Sequence, residues 1–162
     1  VKVVVFSDAH GDKLAVDRII DWNSDTDYFL SMGDTELPLD YLVSHDVVMI
    51  KGNSRHDAGF MNERMLEIDG VKLFMTHGHK YNVHRSLDKL AKLAYEKNYD
   101  VVLFGHTHIL EIEKVGKVQF LNPGSCAKPR NALPPTYMIL DITEGELTWT
   151  IKDSIDNSTI EV

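Results

Sequence analysis

One cysteine in 162 residues, Cys126, leaves no partner for an internal disulfide; this excludes a disulfide-stapled scaffold and points to a reducing compartment, the cytoplasm. Long apolar runs are missing too. Nothing approaches the ~18 consecutive residues that a membrane helix needs, and the apolar start, Val3 to Phe6, is too short for the core of a secretory signal. Basic residues are the scarcer charge, 17 Lys and Arg against 25 Asp and Glu, for a net charge of −8. Such a surface repels a phosphate backbone, so a nucleic-acid binder is not expected, while an enzyme with a local cationic site stays compatible with it. Low-complexity segments, internal repeats and linker-like stretches are also lacking, and the prolines between Pro129 and Pro135 read as a loop within one domain spanning residues 1–162.

What is present is an ordinary globular balance, 43% hydrophobic and 26% charged, with length for one substantial core. Eight histidines are many for this length, and they cluster: His77 with His79, His106 with His108, and His10 two residues after Asp8. The first half reads α/β, with strands at Lys2 to Phe6, Tyr28 to Met32 and Val47 to Ile50, and helices at Lys13 to Trp22 and Leu37 to Ser44. The second half is strand-rich. Arg64 to Ile68 and Val71 to Met75 form a hairpin about Asp69-Gly70, and an amphipathic helix follows from Val83 to Lys97. Val101 to Phe104, a second hairpin about Gly116, and two alternating strands to Lys152 complete an α/β fold of two sheets flanked by helices.

Five times an apolar strand runs into a Gly- or His-containing turn that carries a metal-ligand type: Asp8 and His10, Asp34, Asn53, His77, then His106 and His108. Open α/β sheets build their sites beyond the carboxyl ends of strands, so turns far apart in sequence can converge. In an extended segment residues two apart share a face, which puts Asp8 with His10 and His106 with His108 on one side. Gly33, Gly52, Gly78 and Gly105 allow the tight backbone that aims each ligand inward. Carboxylate, imidazole and amide donors suit manganese first, with iron, nickel or zinc as alternatives. Seven donors are more than one ion needs. Two divalent ions about 3.5–4 Å apart, bridged by a carboxylate and a hydroxide, would use them all and carry a net positive charge for an anionic phosphate ester. Any one of these turns alone is a weak signal; all five in order are not.

Taken together, Asp8-x-His10, Gly33-Asp34, Gly52-Asn53, His77-Gly78-His79 and Gly105-His106-x-His108 resemble the signature of the calcineurin-like metallophosphoesterases, over residues 2 to about 142. The short chain and the turn Asn122-Pro123-Gly124-Ser125 resemble the small YfcE-type phosphodiesterase branch. The resemblance implies a four-layer α/β/β/α sandwich of two mixed sheets. It implies Asp8, His10 and His108 on one metal, Asn53, His77 and His106 on the other, and Asp34 bridging both. It also implies hydrolysis of a small phosphate ester, most directly a phosphodiester, by in-line attack of the metal-bridging hydroxide, with Asp34, Asn53 and His77 central to catalysis.

The chain departs from the wider pattern at Asn53-Ser54-Arg55-His56-Asp57, where the family often has a leaving-group-protonating His directly after the Asn. A serine hydroxyl is no competent acid near neutrality, which favours esters with good leaving groups. His56 is a candidate substitute acid, Arg55 either a phosphate contact or an ion-pair partner of Asp57, and His79 either a hydrogen-bond donor to substrate or a residue that orients His77. His45 and His84 read as solvated surface. A phosphomonoesterase and a non-catalytic interaction scaffold of the retromer-subunit type are the rival readings, with a nuclease behind them. Exposed apolar residues in the strand-rich half are compatible with a homodimer.

Overall fold

The computed structural model describes residues 1–57 and 59–162. Strand β1 (Lys2–Phe6) is rich in Val and Phe because both of its faces are covered. Val3 and Val5 enter the core between two sheets, while Val4 and Phe6 enter a layer shared with helix α1 (Lys13–Trp22). Asp12 starts that helix by accepting the Ala15 N–H with its side chain. β2 (Tyr28–Ser31) lies parallel to β1, and β3 (Val47–Met49) lies parallel to β2 beyond helix α2 (Leu39–Ser44), two residues shorter than the sequence pattern suggests because Pro38 caps it.

Hairpin β4 (Glu63–Ile68) and β5 (Val71–Thr76) turns at Asp69 and Gly70, both left-handed (φ 43° and 87°), the backbone that Asp-Gly favours. Helix α3 spans Asp88–Lys97, not Val83 to Lys97 as the periodicity suggests. His79–Tyr81 forms one turn of 3₁₀ helix, left-handed Asn82 breaks the run, and the Ser86 hydroxyl accepts the Asp88 N–H at the true start. Val83 and Leu87 still pack with Leu90 and Ala94, so the apolar spacing is real while the backbone between is a turn. β6 (Val101–Leu103) and β8 (Val118–Pro123) continue in parallel, and β7 (Leu110–Val115) folds back antiparallel to β8. β9 (Thr136–Thr143) and β10 (Glu146–Asp153) then return to the first sheet, closed by a short β11 (Thr159–Ile160) that sequence reading missed.

The two mixed sheets have strand orders β11-β10-β9-β1-β2-β3 and β4-β5-β6-β8-β7. Leu30, Leu73, Leu103, Leu121 and Met138 fill the space between them. The outer faces are covered by α1 and α2 on one side, over Phe6, Phe29 and Met49, and by α3 on the other, over Phe74, Val102 and Phe120. This is the α/β/β/α sandwich. No helix among the described residues is long and apolar enough to cross a membrane.

Candidate metal centre

Parallel strands β1, β2, β3, β5 and β6 all deliver their carboxyl ends to one edge of the sandwich, and the seven candidate ligands stand in the loops just beyond them. The loops are not extended. Asp8 (φ 55°), His10 (44°), Asp34 (53°), His106 (74°) and His108 (62°) all hold left-handed backbone, so strand alternation is not what pairs Asp8 with His10 or His106 with His108. Interloop bonds impose the conformation instead. The Asp8, His10 and Gly11 N–H groups donate to the carbonyls of Gly33, Asp34 and Thr35, lacing the first loop to the second. The glycines divide into two kinds: Gly33 and Gly78 supply positive φ, whereas Gly52 and Gly105 supply space. A Cβ on Gly52 would collide with the Asp34 carboxylate, and one on Gly105 with the Ser7 hydroxyl.

The donor atoms fall into two adjoining groups. His10 Nε2 lies 3.1 Å from His108 Nε2, with Asp8 Oδ1 3.8 and 3.4 Å from them respectively. His77 Nε2 lies 3.0 Å from Asn53 Oδ1 and 3.3 Å from Asp34 Oδ2, and His106 Nδ1 is 3.2 Å from the same Asn53 oxygen. Both carboxylates sit between the groups: Asp34 Oδ2 is 3.8 Å from His10 Nε2, and Asp8 Oδ1 is 3.8 Å from His77 Nε2. Asp8, His10 and His108 form one cluster able to hold an ion, and Asp8, Asp34 and His77 another.

The chemistry of the donors fits cations. Nδ1 of His77 donates to the Met32 carbonyl (2.7 Å), Nδ1 of His108 to the Lys128 carbonyl (2.7 Å) and Nδ1 of His10 to Glu36 Oε1 (3.1 Å). Each neutral ring therefore turns a bare Nε2 lone pair inward, toward carboxylate, amide or imidazole acceptors. Buried Asp8 Oδ1 has no hydrogen-bond partner among the described residues, and its Oδ2 is fixed by the Ser7 hydroxyl (2.6 Å) and the His106 N–H (3.0 Å). Converging acceptors with no donor between them need a positive ion.

The electrostatics show the same need for positive charge in the metal-free centre, where a proton on His77 Nε2 stands in for a cation. Burial opposes ionisation of Asp34, but the His77 hydrogen bond and charge and the Ser54 N–H outweigh it and hold the carboxyl at about 2. Burial likewise opposes the charged form of His77, yet Asp34 and Asp8 raise its pKa. His106 is lowered to about 4 by burial, then by the neighbouring His77 and His84.

Of the substrate-contact candidates, His79 stands beside the centre, its ring 5.4 Å from that of His77 and its buried Nδ1 without a partner among the described residues. Arg55 and His56 are exposed on a 3₁₀ turn, and no Arg55–Asp57 ion pair exists among the described residues. Asp57 is buried instead and accepts the N–H groups of Asp34 (2.7 Å) and Gly52 (2.9 Å), bracing both loops; burial raises its pKa against those two bonds. Sequence reading missed this role, and also that of Glu36, which joins His10 to the Ser54 hydroxyl. His84 is exposed, as read from the sequence, and its ring also packs edge-on against His106 at 4.7 Å. Asn122 and Ser125 tie the supporting loops as expected, through Gly105 O, Thr107 Oγ1 and Asp8 O. Cys126 is buried in the helix-facing core, where burial pushes its thiol pKa up.

Two grooves adjoin the centre. One of about 570 Å³ opens past His84 and Thr107 between the turn before α3 and β7; the other, of about 430 Å³, lies beside Glu36 and His56.

The pattern of the calcineurin-like phosphoesterase superfamily domain matches residues 1–145, and the chain belongs to that family. It is similar to the Bacillus subtilis protein named "Probable metallophosphoesterase YsnB", 29% identical over 96% of this chain and 92% of that protein. It is also similar to the Escherichia coli phosphodiesterase YfcE, 26% identical over 86% of this chain and 87% of the relative. A crystal structure of a Streptococcus pneumoniae protein described as a predicted phosphoesterase superposes with a TM-score of 0.89 at 29% identity, covering 98% of this chain and 92% of that one. Zinc-complexed Vps29 of Entamoeba histolytica shares the fold (TM-score 0.78, 24% identity, 99% and 96% covered).

Proposed function

We propose that this protein is a phosphodiesterase with a dinuclear metal centre. The observation that supports the reading most directly is the set of inward Nε2 atoms of His10, His77 and His108, each ring locked by a protein acceptor on its other nitrogen and facing Asp8, Asp34 and Asn53. Asp8, His10 and His108 would hold one ion, Asn53, His77 and His106 the other, with Asp34 shared. When bound, the ions supply an acidified water and neutralise phosphate oxygens; manganese is our first choice, with iron, nickel or zinc as alternatives.

The chain's own groups position and select. Asp34, held at about 2, stays ionised at any physiological pH. His79 offers its unpartnered nitrogen beside the reaction centre, while Arg55 and His56 stand at the rim. No imidazole takes the place after Asn53, because Ser54 fills it and gives its hydroxyl to Glu36 (3.2 Å), so the alcohol released must be a good leaving group. Two grooves beside one centre suit the two arms of a diester better than the single arm of a monoester.

The test compares bis(4-nitrophenyl) phosphate with 4-nitrophenyl phosphate after chelation and reloading with Mn²⁺, Ni²⁺, Mg²⁺ or Zn²⁺. Diester turnover should exceed monoester turnover, and Asp34→Ala or Asn53→Ala should abolish it while circular dichroism stays native. Faster monoester turnover selects a phosphomonoesterase. No turnover with any ion leaves an interaction scaffold on the Vps29-like fold.

A further inference from the structure

We infer that the groove of about 570 Å³ beside His106 is the subsite for one arm of the diester, and that this arm carries a flat, uncharged ring. The inference rests on the phosphodiesterase reading. Continuity with the centre comes from three residues: His84, whose ring meets that of His106 at 4.7 Å; Thr107, between His106 and His108; and Ile109, directly after His108. All three line the groove. Its walls face each other with apolar side chains, Leu87 and Ala91 from the α3 side and Ile109 and Leu110 from the β7 side. Ile109 is 40% exposed at the lip, directly beside the centre. The volume falls within the range of about 300–1,000 Å³ of small-ligand pockets. Farther along the groove stand Glu111 and Glu113, next neighbours on one face of β7. With Asp88 they place three carboxylates on the groove against the one guanidinium of Arg85, and this acidic balance disfavours an arm ending in a second anion.

The experiment uses the Mn²⁺-loaded protein hydrolysing bis(4-nitrophenyl) phosphate, with phenyl, methyl and 4-carboxyphenyl phosphate as competitive inhibitors. Phenyl phosphate should inhibit about tenfold more tightly than methyl phosphate, the scale expected for burying one ring in a partly open groove, and 4-carboxyphenyl phosphate should lose that gain. Ile109→Asp, at an exposed position, and Ala91→Trp, which fills the groove, should each bring the phenyl-to-methyl ratio near one. In two-dimensional amide NMR of the protein loaded with diamagnetic Zn²⁺, phenyl phosphate should shift His84, Ser86, Thr107 and Ile109 more than Gly59 and Phe60 of the other groove. Equal inhibition by phenyl and methyl phosphate, or a ratio that survives both substitutions, overturns the assignment. Shifts confined to Gly59 and Phe60 overturn it as well. Absence of diester hydrolysis with every ion strikes the phosphodiesterase reading instead, and the amide shifts still decide the groove.

Discussion

His10 Nε2 and His108 Nε2 face each other across 3.1 Å, and neither carries a hydrogen in the neutral rings, because Glu36 and the Lys128 carbonyl hold the protons on the opposite nitrogens. Two lone pairs at that separation repel unless a cation lies between them. Chelator-treated protein should therefore melt below metal-loaded protein. An ion present at about a hundred times its Kd adds ~2.7 kcal/mol, or roughly 5–10 °C for a chain of this size. Differential scanning fluorimetry across a Mn²⁺ titration checks this, and a melting point indifferent to all four ions would count against the metal assignment.

Acidity should act on the metal-free protein from both sides. His106 is neutral in the fold down to about 4, so an unfolded chain takes up its proton first as pH drops below the ordinary 6.5, and stability is lost between 6.5 and about 4. His77 is raised above 6.5, so its contribution is complete below that value and is lost as pH climbs through the raised one. Thermal midpoints of chelated protein should peak near the ordinary imidazole pKa. His106→Asn should flatten the acid limb and His77→Asn the alkaline limb.

Glu36 holds His10 by its outer nitrogen. Glu36→Ala frees that ring, and metal affinity at the His10–His108 group should fall about 10–100-fold with the melting point of the chelated protein little changed. Isothermal titration with Mn²⁺ on both proteins measures it.

Gly52→Ala places a methyl group on the Asp34 carboxylate and should abolish turnover while destabilising the fold by about 1–3 kcal/mol. Gly59→Ala meets nothing and serves as the control. Urea denaturation and diester turnover together separate the two.

His56 is exposed at the edge of the groove beside Glu36, and no side-chain hydrogen bond among the described residues aims it at the centre; we propose that it does not replace the missing leaving-group acid. His56→Ala should keep the wild-type dependence of kcat on the pKa of the departing phenol, measured over a series of aryl diesters.

Much of this architecture was legible in the chain. β1 and α1 have the bounds their residue patterns suggest, since burial on both faces of Val3–Phe6 and the Asp12 cap are local signals. The seven candidate ligands could be marked because each sits where an apolar run stops. Contacts across the fold could not be read this way. Glu36 meets His10 across 26 residues, and Asp57 braces Asp34 across 23, with no spacing rule to announce either. His84 was hidden for another reason: Leu87, Leu90 and Ala94 keep helical spacing, and the pattern extends smoothly back through residues that Asn82 and Ser86 turn into a loop.

The left-handed backbone at Asp8, His10, Asp34, Glu36, His106 and His108 carries one last consequence. Side chains in that region are disfavoured by about 1 kcal/mol or more each, least for short polar ones, and a glycine would relieve the strain. The fold thus carries a local cost to keep these loops cocked. An inactivated descendant, relieved of its chemistry and free to place glycine at such corners, should become the tougher molecule.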